Sequence, residues 1–152
     1  MVESPARPAG NGATDLAAVV SRRPAYAAAY QEVLDAIWDQ DIVDAMILEL
    51  CRLRIAQMLG ATPAPERVDA DTLAALSRWA TDERFDARTR VALGYAEQVL
   101  LDAEGVTDEH AAAVIDALGE PGFLVLTYAC GVFETTQRAE LVLGPTTTRS
   151  TP

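Results

Sequence analysis

The chain is short of the residues on which most catalytic sites are built. Among its 152 residues it has one histidine, two cysteines and an aromatic content of 6%. His110 sits beside Asp108 and Glu109 in what reads as the first turn of a helix, with nothing nearby to bury or orient it. No cluster of His, Cys and carboxylates has metal-ligand spacing, so no zinc or iron site is expected. A Gly-rich phosphate loop and a nucleophile elbow are missing too. Cys51 and Cys130 lie far apart, each inside an apolar helical pattern where a free thiol packs as a small hydrophobe. Positive charge is scarce: 12 Lys and Arg against 23 Asp and Glu give a net charge of −11. That surface repels nucleic acid and anionic membranes, which carry dense negative charge themselves. No charged-then-apolar leader opens the sequence, and no apolar run reads as long enough to span a bilayer. The expectation is a cytoplasmic chain with no metal, no cofactor, no nucleic-acid partner and no membrane.

What is abundant is Ala, Leu and Val, and half of the residues are hydrophobic. That composition favours helices and supplies one core for one domain. The spacing predicts an all-α compact bundle of about six helices. The first runs from Pro24, where a missing N–H is harmless, to Asp39. The others run from Asp41 to Leu59, ended by Gly60, from Asp71 to Ala80, and from Asp86 to Asp102. A fifth follows a Thr107 cap to near Gly119, and a sixth runs from Pro121 to Leu143, stopped by Gly144-Pro145. The segment from Ala61 to Asp69, with Pro63 and Pro65, reads as a loop. Residues 1–23 and 145–152 read as flexible ends around a helical domain at 24–144.

The second helix and its loop, Ile47-Leu48-Glu49-Leu50-Cys51-Arg52-Leu53-Arg54 through Gly60-Ala61-Thr62-Pro63-Ala64, carry the most information. They resemble the signature helix of the carboxymuconolactone decarboxylase and alkyl hydroperoxidase D-like (AhpD-like) superfamily. There a glutamate precedes a Cys-x-x-Cys and often a histidine. Glu49 stands in the glutamate position, but the cysteine positions read Ala61 and Ala64 and the histidine position Val68. The segment from Phe85 to Glu97, with its Tyr95-Ala96-Glu97, and Phe133-Glu134-Thr135-Thr136-Gln137-Arg138 extend the similarity over roughly Tyr30 to Gly144. The resemblance implies an AhpD-like bundle that assembles as a dimer, trimer or hexamer.

Without a second thiol in the loop there is no dithiol couple, so two-cysteine peroxidase chemistry is not expected. Two readings of Glu49 stand side by side. It forms a surface pair with Arg52, three residues on; or it is a general acid or base, with burial raising its pKa toward neutrality. Arg54 and Gln57 fall on the apolar face of their helix. A buried guanidinium needs a partner, and Glu97 or Glu134 is the expected acid. Cys130, Glu134, Gln137 and Arg138 share one line of the last helix, either as a pocket lining or as a salt-bridge network. The leading function is a thiol-independent, cofactor-free lyase or isomerase acting on a small carboxylate or lactone. Glu49 carries the proton, and Arg54, Glu134, Gln137 and Arg138 are the substrate-binding candidates. The alternative is a non-catalytic oligomeric binding or accessory module. The expected partners are a small-molecule ligand and further copies of the chain.

Overall fold

Aspartates at three helix starts set the frame. Asp44, Asp69 and Asp86 each accept a hydrogen bond from a backbone N–H two or three residues on, from Met46, Thr72 and Thr89, all at 2.7 Å. Each satisfies a donor that the first helical turn leaves without an internal partner. The structure is a computed structural model of the single chain and describes residues 21–62 and 64–143. Helix α1 spans Pro24–Trp38, α2 Ala45–Met58, α3 Ala70–Ala75, α4 Ala87–Leu101 and α5 Asp108–Leu143, with 3₁₀ turns at Leu76–Arg78 and Ala103–Gly105. No strand occurs among the described residues. The all-α expectation is met. The expected flexible segments lie mostly outside the described residues.

Helix α2 is the axis of the fold. Ile47, Leu48, Glu49, Leu50 and Cys51 are consecutive and all buried, which requires neighbours on every side of the helix. Those neighbours are α4 and α5, which also pack on each other, while α1 lies against α5. Trp38 at the end of α1 meets Phe133 of α5 with ring centroids 5.5 Å apart. The stop after α2 follows from Gly60, whose φ of 75° is open to a residue without a Cβ. There the Ala61 N–H reaches the Ala56 carbonyl at 2.8 Å and the Gly60 N–H reaches that of Gln57 at 3.1 Å. This pair of bonds is a Schellman closure.

The structure departs from the expected helix bounds in two places. Helix α2 begins at Ala45 rather than Asp41, because Gln40 turns back on the chain. Its Oε1 accepts from the N–H groups of Ile42 and Val43 at 2.7 and 2.8 Å. The third helix is shorter than expected and ends in a 3₁₀ turn. The expected boundary between the last two helices is present: inside Asp108–Leu143 the chain leaves the helical conformation at Gly119 (φ 78°, ψ 166°), two residues before Pro121. With the two helices joined as one element, the described residues hold five α-helices. The expectation that nothing is long enough to span a bilayer is corrected. By length and composition α5 is, with a mean hydropathy of 1.3 over its most apolar 18 residues, a third of which are buried. Its Leu126, Ala129, Cys130 and Phe133 belong to the core of the bundle.

Candidate functional site

Glu49 is completely buried, and its carboxylate is the most heavily committed group in the interior. Arg52 meets it as a fork, Nε to Oε2 at 2.8 Å and Nη2 to Oε1 at 2.9 Å. The backbone N–H of Glu66 donates to Oε1 at 2.8 Å. Arg52 Nη2 also donates to the Ala64 carbonyl at 3.0 Å. One ion pair thus ties α2 to Ala64 and Glu66 of the loop whose positions 61 and 64 hold alanine. Arg67, three residues beyond, lies over the Trp38 ring at 4.5 Å, a cation–π contact that fastens the loop to α1.

The electrostatics of that pair overturn one expectation. Burial pushes the Glu49 carboxyl upward, but the Arg52 hydrogen bonds, the Glu66 N–H and the charges of Arg52 and Arg67 outweigh it. The net shift is downward. Glu49 is therefore ionised at neutral pH and does not hold a proton there. The expected pairing with Arg52 is present, but in the interior rather than on the surface. Helical phase alone placed Glu49 at the edge of the polar side because it did not include the loop that folds over it.

Arg54 takes the first of its two expected partners. Its Nε donates to Glu97 Oε1 at 2.5 Å, and Trp79 Nε1 donates to the same oxygen at 2.7 Å. Arg54 Nη1 also reaches Gln57 Oε1 at 3.2 Å, and Gln57 Nε2 reaches the Leu73 carbonyl at 3.3 Å. The side chains of Arg54 and Glu97 remain 19% and 23% exposed, so the pair is half-buried. Glu134 is not part of it. Glu134 accepts instead from Arg138, one turn on, at 2.9 Å. Gln137 is buried with its Oε1 unpaired. The predicted polar line of α5 thus divides into an outward ion pair and an inward amide, and it does not line one cavity. The two thiols are buried and free. Burial raises Cys130 to about 12 and Cys51 well above the ordinary thiol value, so neither is a nucleophile. His110 is exposed and accepts the Thr107 N–H at its Nδ1, a helix-start contact.

A groove of about 750 Å³ opens elsewhere, between α1 and the C-terminal half of α5. Tyr26, Tyr30 and Val33 form one wall and Tyr128, Val132 and Leu143 the other. None of the residues lining it carries a formal charge. Its polar groups are hydroxyls, and the Tyr30 hydroxyl is already bonded to Thr136 Oγ1 at 2.9 Å. Tyr128 is 68% exposed and Tyr26 61%, although both are large apolar rings. The sequence reading missed this groove. Its trace was present in the four-residue recurrence of small side chains at Thr127, Gly131, Thr135 and Ala139. No protein-family profile and no curated protein matches the chain.

Proposed function

We propose that this chain is a binding module without chemistry of its own, built on an AhpD-like scaffold of the carboxymuconolactone decarboxylase kind. The observation that carries the reading is the contrast between its charged groups and its groove. Glu49, Arg54, Glu134 and Arg138 are each paired inside the chain. A wide uncharged groove, edged by exposed tyrosines, is left open. Pockets of roughly 300–1,000 Å³ with apolar walls and a few hydroxyls are typical binding sites.

The decarboxylase-like lyase is weakened by the same residues. Protonating a carbanion-like product at neutral pH calls for an acid poised near that pH. Glu49 is shifted the other way, and both its oxygens are occupied. A thiol peroxidase is weakened further, since Ala61 and Ala64 have no sulfur and Cys51 and Cys130 are buried with raised pKa values. The test is turnover of a lactone carboxylate, and of a hydroperoxide supplied with a dithiol reductant. The reading expects no turnover by wild type beyond that of Glu49→Gln or of Cys51→Ser/Cys130→Ser. Turnover that disappears in Glu49→Gln would restore the lyase. Turnover that disappears in the double cysteine variant would restore the peroxidase.

A further inference from the structure

We infer that the groove between α1 and α5 takes a flat, uncharged small molecule, a ring system with one carbonyl or hydroxyl, held by the tyrosine rings and by the Tyr30–Thr136 hydroxyl pair. The inference rests on the reading of this groove as the binding surface and names the class of its ligand.

Charge sets the first limit. The lining offers neither a cation nor a carboxylate to an ionic ligand. The acids beside it lie on the flanks of α5. Glu134, three residues from Gly131, is bonded by Arg138 at 2.9 Å. Glu140 stands close enough to Tyr30 for its charge to act on the phenol. With a net charge of −11 over the whole chain, this surface opposes an anion. A cation entering the groove would shed water and gain no carboxylate, and a buried charge without a partner is costly. A neutral ligand meets neither penalty.

Shape sets the second limit. Tyr26 and Tyr30 stand one turn apart on α1, with an angle of 4° between their ring planes and centroids 6.4 Å apart. Parallel faces on one wall offer a flat ring a single stacking direction, which an aliphatic chain cannot use. Across the groove the Tyr128 ring is largely exposed, and Gly131 lies one turn beyond it. Glycine weakens a helix, so its presence calls for a cause. A Cβ on Gly122 would stand 2.6 Å from Leu118 Cβ, and one on Gly94 would stand 3.3 Å from the Trp79 ring. A Cβ on Gly131 would meet nothing within 4 Å. What Gly131 keeps open is room in the groove for a ring to lie against the backbone of α5.

Hydrogen bonding sets the third limit. The Thr127 hydroxyl donates to the Phe123 carbonyl at 2.7 Å, so Tyr95, 2.8 Å away, is the donor to Thr127. The protons of that pair are spent. Tyr30 and Thr136 share one bond at 2.9 Å, which uses one of their two protons. Burial, joined by the charge of Glu140, raises the Tyr30 pKa in spite of the Thr136 bond, so the phenol stays protonated. The second proton of the pair is left for an acceptor, which a ligand carbonyl or hydroxyl supplies.

Fluorescence titration with two dyes of one ring skeleton tests the class. Nile red is neutral and carries a ring carbonyl; Nile blue is its cationic counterpart. The anionic dye 1-anilinonaphthalene-8-sulfonate is the third probe. The chain is expected to bind one Nile red, at least about 10-fold more tightly than either charged dye. Tyr128→Leu and Gly131→Leu should each weaken Nile red about 10-fold, and Tyr128→Phe should not. Circular dichroism should show unchanged helix content in these variants, because both positions are exposed. Tyr30→Phe should shift the emission of bound Nile red to the blue, as its carbonyl loses a donor. A charged dye bound as tightly as Nile red, or an emission unmoved by Tyr30→Phe, would overturn this ligand class and leave the binding face standing. A chain that binds no dye and sediments at twice its 16.3 kDa mass would give the face to a second copy and overturn the ligand. A single-chain species that binds no dye, or Nile red bound equally by Tyr128→Leu and Gly131→Leu, would overturn both the ligand and the binding face.

Discussion

The interior around Glu49 and the face around Gly131 lie on neighbouring helices and solve opposite problems. Around Glu49 a charge is buried, and three donors converge on it. Around Gly131 the residues lining the groove carry no formal charge, and large rings stand in water with space beside them. Buried charge is tolerated only when its lone pairs are met, so the first region is complete within one chain. Exposed apolar surface is relieved only by covering it, so on the proposed binding-module reading the second is completed from outside. The position that the superfamily resemblance marks for chemistry is the closed one. The position that the resemblance does not mark is the open one.

The sharpest way to break this contrast is to remove the carboxylate. Glu49→Ala leaves the guanidinium of Arg52, 14% exposed, without its partner. It should cost about 3–5 kcal/mol, the usual result of orphaning a buried charge. Urea unfolding measures it, and a loss below 1 kcal/mol would mean that the clamp holds little. The pH dependence follows from the direction of the shift. Glu49 has a lower pKa folded than unfolded, so its contribution is fully present above the unfolded value near 4.5. It is lost as pH falls through the lower folded value. Glu49→Gln should flatten this part of the acid limb.

Arg54→Ala is the intermediate case. Its pair with Glu97 is half-buried, and Trp79 still bonds the same oxygen. The expected loss is about 1–3 kcal/mol, with the Trp79 fluorescence altered as its acceptor loses the neighbouring cation. A loss as large as that of Glu49→Ala would show that the two ion pairs are equally enclosed.

The outer face should respond with the opposite sign. Gly131→Ala should raise stability by about 0.5–1 kcal/mol, since the Cβ meets nothing within 4 Å. Gly122→Ala should lower it, because the added carbon would stand 2.6 Å from Leu118 Cβ. Thermal unfolding of the two variants side by side reads both. The smallest effect belongs to Arg138→Ala, which should change stability by less than about 1 kcal/mol because its pair with Glu134 is exposed.

The frame of the fold was legible because its signals are local. Asp86 opens a helix in sequence and caps it in structure, and Pro24 and Gly60 stand where first turns and stops need them; Asp44 and Asp69 cap helices whose starts the sequence reading placed at Asp41 and Asp71. Arg54 was legible for a different reason: a cation on an apolar face demands an acid, and Glu97 is within reach. Glu49 was only half legible. Its pairing with Arg52 follows from three-residue spacing, but its burial depends on the Glu66 N–H and the Ala64 carbonyl folding back from the loop. The start of α2 depends on the side chain of Gln40, which no apolar period records. The groove was illegible for a related reason. An apolar α5 presents similar residues to its own core and to its outer face, and sequence period does not say which side is covered.

The central claim is that Glu49 is a fixed anion that closes the interior rather than a proton carrier. Its carboxyl titration, followed by carbon NMR with Glu49→Gln to assign the resonance, tests this directly. The account predicts a midpoint below the ordinary 4.5, with the resonance unchanged through neutral pH. A midpoint near neutrality would contradict it and return Glu49 to the role of general acid.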